Sequence, residues 1–500
     1  MSNGKTSEKS SRTEASAFFS SSPRAAKIRT TATPSSSSLT PQRTPSPPCS
    51  ASILASTSPA CAVGPNYEPP SAELEASFKN VGFKSAPAQG SWWTLFNDPK
   101  LNELIRTADR NSPTARAALA RYDQSRAALG LSLADAYPSV TGEAYARRRT
   151  DSGNTNFSAG TYSDYRSALN LSWEIDLWGR VRRQVGAAVA DMQAAEYEFQ
   201  AAALSLRGEV TRTYLSLRFA DAEIDLLSQT ESLRREARSL MKTRFEGGAS
   251  NRIDHERSIT EHESVRAELE QLRAQRARYE NALATLTGQN ASGFRLAPNG
   301  QRPSIPATPS AVPGDLLRRR PDVAAAERRL AAASENIGLA IASALPRFSI
   351  TASGGYGSLK SSDLFNQNSQ LWNIGPEVSI PLMQGGRGKS GTESAKARYR
   401  EALELYRDTL LRAVEETENA LTDSHHLAVA SLSRRRGSQS SATAAELTRK
   451  RYEAGVTDYF EVIDADRTSL TGKRGTLAVD LARALASTAL IQSLGGGWQR

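Results

Sequence analysis

The chain has 500 residues, 39% of them hydrophobic, and a formal net charge of +10, so it is long enough to bury a sizeable core. It contains no run of about 18 apolar residues, so the sequence predicts no transmembrane helix. Residues 1–60 hold seven Lys and Arg against two Asp and Glu, which is half of the positive excess. The charge therefore does not indicate a nucleic-acid-binding protein.

Residue types that commonly form catalytic or metal sites are sparse in this sequence. The two cysteines, Cys49 and Cys61, lie near the N-terminus, which leaves no disulfide framework and no CxxC metal pattern for the rest of the chain. His255 and His262 are predicted to be solvated positions on a helix. No HExxH, GxSxG or P-loop motif occurs. The sequence therefore predicts no enzyme, no metal site and no cofactor.

The first segment, residues 1–60, contains seventeen Ser and seven Pro and cannot bury enough apolar surface to order itself. We predict that it is a disordered, aberrant signal region, followed by an N-terminal extension at 61–90. In the segment that follows, Asp98 and Pro99 have the residue types of a helix N-cap and a first helical position. A helix is therefore predicted to begin at residue 99.

An internal repeat dominates the remaining sequence. Residues 111–138 align without gaps to residues 319–346 at an offset of 208. The matched positions include Pro113 with Pro321, Gly130 with Gly338, and Pro138 with Pro346. This duplication predicts a first structural repeat at 91–290, a linker at 291–315 and a second structural repeat at 316–498. Each repeat is predicted to contain a helix, a β-hairpin and two long helices.

The strands of each repeat are predicted from alternating apolar and polar residues. The clearest strand lies at 167–178, its counterpart lies at 374–382, and two further strands follow Pro138 and Pro346. The apolar face carries Leu169, Leu171, Trp173, Ile175, Leu177, Phe348, Ile350, Ile374, Val378, Ile380 and Leu382. Such alternation fits either a half-buried soluble sheet or a sheet between lipid and water.

Two very long helices are predicted at about 182–246 and 392–453, each followed by a returning helix of about 35–40 residues. Glycines at the reversals tolerate the positive φ of a tight turn. Ser250 and Thr457 are predicted to N-cap the returning helices. The predicted hairpin tips comprise Gly247, Gly248, Ser250, Gly455, Val456 and Thr457. The need for a tight turn accounts for these residues without any partner.

Four strands cannot close a membrane β-barrel, because the smallest barrels need about eight. The open edges of the sheet must therefore pair with other chains. A polar strand face and a face of Leu, Trp and Ile fit an aqueous lumen and a lipid exterior. We therefore predict an α+β membrane protein in which each chain is one wedge of an oligomeric conduit.

Three segments resemble the TolC-like outer-membrane factor family, in particular its lipoprotein branch of tripartite resistance-nodulation-division (RND) efflux systems. They are ACAVGPNYEPP at 60–70, RRRPDVAAAERRLAAASENIGLAIASALPRFSI at 318–350, and RYEAGVTDYFEVIDADR at 451–467. The resemblance spans residues 61–498. It implies a homotrimer with a twelve-stranded outer-membrane β-barrel, four strands per chain, continued by a long periplasmic α-helical coiled-coil barrel.

The same resemblance implies a function, partners and a gate. Drugs or other small molecules would pass passively from the periplasm to the outside, delivered by an inner-membrane RND pump and a periplasmic adaptor that contacts the hairpin tips. Phe460, Asp464 and Arg467 match positions that constrict the closed tunnel in the family. Arg467 is expected to pair with Asp464 within a helix or across a subunit boundary. The alternative is ordinary coiled-coil packing beside an exposed ion pair.

The N-terminus is where the resemblance implies a lipid anchor in the outer membrane. Cys61, in CAVGPNYEPP, matches the acylated first residue of mature lipoproteins of this branch. Ser58 stands where a lipobox has Leu, and residues 1–60 lack the apolar core of an export signal. We expect that the start of the sequence is misassigned or that the reading frame upstream of Cys61 is disturbed.

Other functions fit part of the pattern. The same fold serves as an exit duct for type I protein secretion or metal-ion efflux, although only four Met are present to supply thioether ligands. A periplasmic coiled-coil scaffold would account for the long helices and their reversals. It would not account for alternating strands with Trp and Leu faces in both repeats.

Overall fold

The computed structural model describes residues 62–70, 90–152, 154, 160–306 and 320–496. The predicted segment 1–60, the lipidation candidate Cys61 and part of the predicted linker lie outside these residues. The described helices are α1 (Pro99–Asn111), α2 (Pro113–Ala134), α3 (Arg180–Glu246), α4 (Arg252–Leu286), α5 (Pro321–Ala342), α6 (Arg387–Glu453) and α7 (Tyr459–Ser493). The strands are β1 (Ser139–Asp151), β2 (Gly160–Ile175), β3 (Arg347–Ser358) and β4 (Gln370–Ser379).

The two halves of the chain have helices of equal length. Helices α2 and α5 have 22 residues each, α3 and α6 have 67 each, and α4 and α7 have 35 each. A 67-residue helix is about 100 Å long at about 1.5 Å per residue. Gly208 and Gly437 lie inside continuous helices. Along the described ranges of the chain, no helix has a stretch apolar enough and long enough to span a bilayer.

The strands form one antiparallel sheet in the order β1-β2-β3-β4. Its register places the apolar residues of all strands on one face, since Leu171 lies opposite Val140 on one side and Ala352 on the other. Phe348 likewise pairs with Ile175 and with Val378. The opposite face carries Thr141, Asn170, Ser172, Glu174, Ser349, Thr351, Ser353, Asn373 and Glu377. The period-2 pattern therefore becomes one apolar and one polar surface.

Two strand ends differ from the prediction. Strand β2 ends at Ile175 and β4 ends at Ser379, so Leu177, Ile380 and Leu382 lie beyond the sheet. The chain leaves β2 through a turn in which Leu177 N–H donates to the Ile175 carbonyl. Strand β3 begins at Arg347, which pairs with Ser379, so β3 has no residue to pair with Ile380. The prediction that Ile380 belongs to a strand face was therefore wrong.

The helices pack around α3 and α6. Helix α3 contacts α2, α4, α5 and α7, whereas α6 contacts α5 and α7. The largest core cluster lies where the start of the first repeat meets α3, with Trp92, Phe96 and Leu101 against Tyr214 and Leu215.

Helix α1 begins where the sequence predicts. The Asp98 carboxylate caps it by accepting from the backbone N–H groups of Lys100 and Leu101 at 2.8 and 3.2 Å. The same carboxylate accepts from the Tyr214 hydroxyl at 2.6 Å. The predicted N-cap is confirmed, and it also ties α1 to α3.

The segment at 62–70 is fastened to the junction between sheet and helices. Val63 N–H donates to the Trp178 carbonyl at 3.1 Å, and the buried Arg183 donates to the carbonyls of Val63 and Gly64. Gly64 has φ 96°, and a Cβ there would lie 2.6 Å from the Cα of Gly338 in α5. Only glycine is therefore compatible with this close approach. The segment at 62–70 therefore contacts both repeats, at Trp178 and Arg183 of the first and at Gly338 of the second.

Candidate functional site at the helical tips

The two helical reversals have the same backbone geometry. Gly248 has φ 71° and Gly455 has φ 72°, the left-handed conformation that favours glycine. The following N–H groups close each turn, because Ala249 donates to Arg244 at 2.7 Å and Val456 donates to Arg451 at 2.9 Å. With the bonds from Gly248 N–H to Phe245 and from Gly455 N–H to Tyr452, both at 3.0 Å, they form the paired hydrogen bonds of a Schellman-type helix end. The predicted reversals at both glycines are confirmed.

The predicted N-caps, in contrast, were wrong by one residue. The side chain of Asn251 accepts from Asp254 N–H at 2.8 Å, and that of Asp458 accepts from Glu461 N–H at 3.1 Å. Ser250 and Thr457 therefore precede the caps instead of forming them. Each turn is one residue longer than predicted. Asn and Asp side chains cap helix N-termini as well as those of Ser and Thr. Asn251 and Arg252 are exposed.

A small core holds the two hairpins together behind the tips. Met241 of α3 packs with Tyr459, Val462 and Ile463 of α7. Arg244 of α3 also donates to the hydroxyl of Tyr452 at 2.6 Å. In front of this core the glycines of both turns are exposed and Val456 is 65% exposed, whereas Ser250 and Thr457 are half-buried. The tips are thus held firmly at their base and present side chains outward.

Phe460 lies at the edge of a cavity between α4 and α7. Its side chain is 51% exposed, and the guanidinium of Arg257 lies 5.0 Å from its ring centroid. The cavity has a volume of about 480 Å³ and is bordered by Ile253, Ile463 and Arg467 as well. The ring is therefore stacked against a cation from the other hairpin rather than buried in a coiled-coil core.

Arg467 bonds to a residue that the sequence reasoning missed. Its guanidinium donates to Glu261 of α4, which is buried. The hydrogen bond that Arg467 donates to the Glu261 carboxylate is the main cause that raises the pKa of Arg467, and Asp464 adds only a nearby negative charge. The expected pair between Arg467 and Asp464 within one helix is therefore wrong for the described chain. The acceptor is on the opposite hairpin, 206 residues away.

The same kind of bridge occurs again about two helical turns further along α7. Arg474 donates to Glu268 of α4 and to Glu223 of α3, both at 2.7 Å. At the level of Arg467, the buried Arg234 lies 3.4 Å from Asp466, and Arg449 of α6 lies 3.2 Å from the same residue. Ion pairs therefore connect all four long helices near the tips.

His262 is buried, against the prediction of a solvated position. Its Nε2 lies 2.8 Å from Glu231 of α3 and its Nδ1 lies 3.1 Å from Arg238. The hydrogen bond from His262 lowers the pKa of the Glu231 carboxyl. His255 is half-buried and stacks on Phe245 with 5.5 Å between ring centroids. The sequence spacing did not indicate these contacts, because each joins α3 to α4 across the hairpin and depends on how the two helices pack.

The comparisons with known proteins extend over both repeats. The profile of the family described as outer membrane efflux protein matches residues 104–289 and 312–496. Outer membrane protein OprJ of Pseudomonas aeruginosa is 32% identical over 467 residues, covering 90% of this chain and 95% of OprJ. The cation efflux system protein CusC of Escherichia coli K12 is 27% identical over 447 residues, covering 87% and 96%.

Among solved structures, the outer-membrane channel OprN is 30% identical, with a TM-score of 0.80, and the match covers 88% of this chain and 100% of that one. The two segments matched by the family profile coincide with the two structural repeats of this chain. The chain therefore belongs to the outer membrane efflux protein family, the TolC-like outer-membrane factors, as an outer-membrane channel subunit with the β-barrel and α-helical barrel fold of these proteins.

Proposed function

We propose that this chain is the exit duct of an RND-type efflux pump, and that it passively conducts drugs or other small molecules from the periplasm to the outside. The observation that carries the proposal is a sheet with one polar and one apolar face joined directly to helices of 67 residues. A sheet of this kind suits a lumen wall in lipid, and helices of this length suit a periplasmic conduit.

The homotrimer that the family resemblance implies is supported by the open edges of one chain. Strands β1 and β4 each have a neighbour on one side within the described sheet. Three copies related by rotation would join these edges into a closed barrel of about twelve strands, without leaving exposed ladder groups. Helix α6 also exposes Leu405, Leu411 and Leu432, by 59%, 70% and 58%. Such a surface fits a head-to-tail contact with the next copy.

The apolar face of the sheet is proposed to contact outer-membrane lipid. It includes Leu169, Leu171, Trp173, Ile175, Phe348, Ile350 and Val378. Leu169 is 61% exposed in the single chain, so nothing from its own chain covers it. An acyl group on Cys61 would add a second attachment to this membrane, because the fastened segment 62–70 begins at the next residue.

The gate is proposed to lie at the tips. Phe460 is half-exposed beside the cavity between the hairpins, and three copies would form an apolar ring with Asp464 one turn away. An apolar ring resists wetting and a ring of carboxylates favours cations. The bridges from Arg467 and Arg474 to Glu261 and Glu268 hold α7 against α4. Opening would require α7 to leave α4, and these bridges would have to break.

The periplasmic adaptor is proposed to dock on the exposed tips, at Gly247, Gly248, Ser250, Gly455, Val456 and Thr457. Each chain contains two turns of the same geometry, and the small core behind them holds them side by side. A trimer would therefore present six similar sites. Val456 supplies an exposed apolar contact at the second turn. Docking there would place the adaptor next to the bridges that resist opening.

The test of the gate is single-channel conductance in planar bilayers. Phe460→Ala with Asp464→Ala removes both rings and should raise the basal conductance, and Arg467→Gln should raise it by releasing α7 from Glu261. The matched control is Lys450→Gln, which removes an exposed pair with Glu446 at 2.8 Å within α6 alone. It should leave the conductance unchanged. Closed-state leakage equal to that of the unmodified protein in the double variant would refute the gate.

A further inference from the structure

A cleft of about 820 Å³ lies between α3, α6, α7 and the segment that contains residues 300–305. Four cationic side chains line it: Arg302, Arg435, Lys473 and Arg483. Asp480 is the one carboxylate among the described lining residues. All of these walls belong to a single chain, so the cleft exists without a neighbouring copy. It is separate from the cavity beside Phe460, which lies between α4 and α7.

The single carboxylate is already saturated. Asp480 is only 2% exposed and accepts from the Ser431 hydroxyl at 2.9 Å. Arg435 Nη2 lies 3.1 Å from both carboxylate oxygens, and Arg302 Nη1 lies 3.5 Å from one of them. Arg483 approaches to 3.9 Å. A carboxylate offers about four acceptor positions, so the three guanidinium groups retain N–H donors with no carboxylate to bind.

Lys473 adds a fourth positive charge to the cleft. It lines the cleft, and it makes no hydrogen bond or ion pair within the described part of the chain. One negative charge thus faces four positive charges around one concave surface. Such an arrangement concentrates anions, because the low-dielectric walls of a cleft strengthen the local field.

The first repeat shows what a balanced version of this arrangement looks like. Arg276 occupies the position equivalent to Arg483 at the 207-residue offset of α4 and α7. It binds two carboxylates, Asp221 at 2.8 Å and Glu280 at 3.1 Å. The positions equivalent to those carboxylates in the second repeat hold Ala428 and Ser487. The second repeat therefore keeps the arginine and lacks both of its acidic partners.

We propose that this cationic cleft binds a small organic anion that has an apolar body and a carboxylate, sulfonate or phosphate group. The anionic group would be held by Arg435, Lys473 and Arg302, since guanidinium groups bind oxyanions with paired hydrogen bonds. The apolar body would lie on the remaining lining, which includes Phe219, Leu226, Ile305 and Leu477. An inorganic anion would satisfy the charge alone and bind more weakly.

The experiment is isothermal titration calorimetry on the full-length protein in detergent, with 1-naphthyl phosphate as the probe and neutral 1-naphthol as its partner. The phosphate should bind and the naphthol should not. Lys473→Gln should weaken binding roughly tenfold, as expected for loss of one charge-assisted contact. Raising the salt concentration should weaken it further by screening. Arg436→Gln, an exposed change on α6 outside the cleft, should have no effect.

Three results would overturn the proposal. One is equal binding of 1-naphthol and 1-naphthyl phosphate, which would indicate partition into detergent or an apolar surface. Another is unchanged affinity in Lys473→Gln, and the third is no binding at all. A measurement on the unmodified protein guards against misfolding of the variant: inorganic phosphate should compete with 1-naphthyl phosphate. Failure to compete would count equally against the cleft as an anion site.

Discussion

Single side chains fasten the returning helices at their first turns. Asn251→Ala and Asp458→Ala each remove an acceptor for an N–H group of the first turn, so each should destabilise its helix start by about 1 kcal/mol. Hydrogen exchange of amides near residues 254 and 461 should therefore become faster. Ser250→Ala and Thr457→Ala are the controls, and they should leave exchange unchanged. Faster exchange in these controls alone would restore the caps predicted from sequence.

Gly338 and Gly130 occupy equivalent positions in the two repeats but have different surroundings. A Cβ at Gly338 would lie 2.7 Å from Arg183 Nε and 3.0 Å from the Val63 carbonyl, whereas nothing lies within 4 Å of one at Gly130. Gly338→Ala should therefore release the segment at 62–70, measured as faster proteolysis there. Gly130→Ala should stabilise α2 by about 0.5–1 kcal/mol, because alanine favours helices. Equal proteolysis of both variants would contradict the close packing at Gly338.

At the scale of elements, the sheet offers a direct comparison of its two faces. Leu169 and Asn170 are neighbours in β2 and lie on opposite faces. Leu169→Arg should impair assembly in the outer membrane, because an arginine facing lipid near the bilayer centre costs about 2–4 kcal/mol. Asn170→Arg should assemble normally if its face lines water. The fraction of heat-modifiable protein on gels measures assembly, and equal loss in both variants would argue against the assigned faces.

The packing of the long helices against one another depends on contacts between elements. Arg467 and Arg474 of α7 reach Glu261 and Glu268 of α4, whose side chains lie one heptad apart. Because each bridge spans about two hundred residues of sequence, it forms only after both hairpins have folded and met. The tips are therefore coupled to each other through side chains, while each turn is shaped by its own glycine.

For the whole molecule, we predict a trimer in which the open edges of the sheet and helices pair with neighbouring copies. Native mass spectrometry of protein extracted from membranes should detect three copies, and each subunit should begin at Cys61 and carry added lipid mass. Cys61→Ser should lose the lipid mass and keep the trimer, because the edges that join copies lie elsewhere. A monomer that retains residues 1–60 would contradict both the assembly and the anchor.

The sequence by itself determined the features that depend on local chemistry and periodicity. The duplicated helices, the reversals at Gly248 and Gly455, the cap at Asp98 and the apolar strand face around Leu171 all follow from residues close together in the chain. Backbone φ preferences, N-capping and the period of a strand act over a few residues. For this reason they can be read without knowing what each element packs against.

Only the tertiary structure decided which side chains meet. It paired Arg467 with Glu261 rather than Asp464, buried His262 against Glu231, and surrounded Asp480 with cations from three separate parts of the chain. It also ended β4 before Ile380. Contacts between distant segments are selected by geometry and by the cost of burying an unpaired charge. Neither is encoded in local spacing, since many arginines and glutamates along these helices are equivalent until the helices pack.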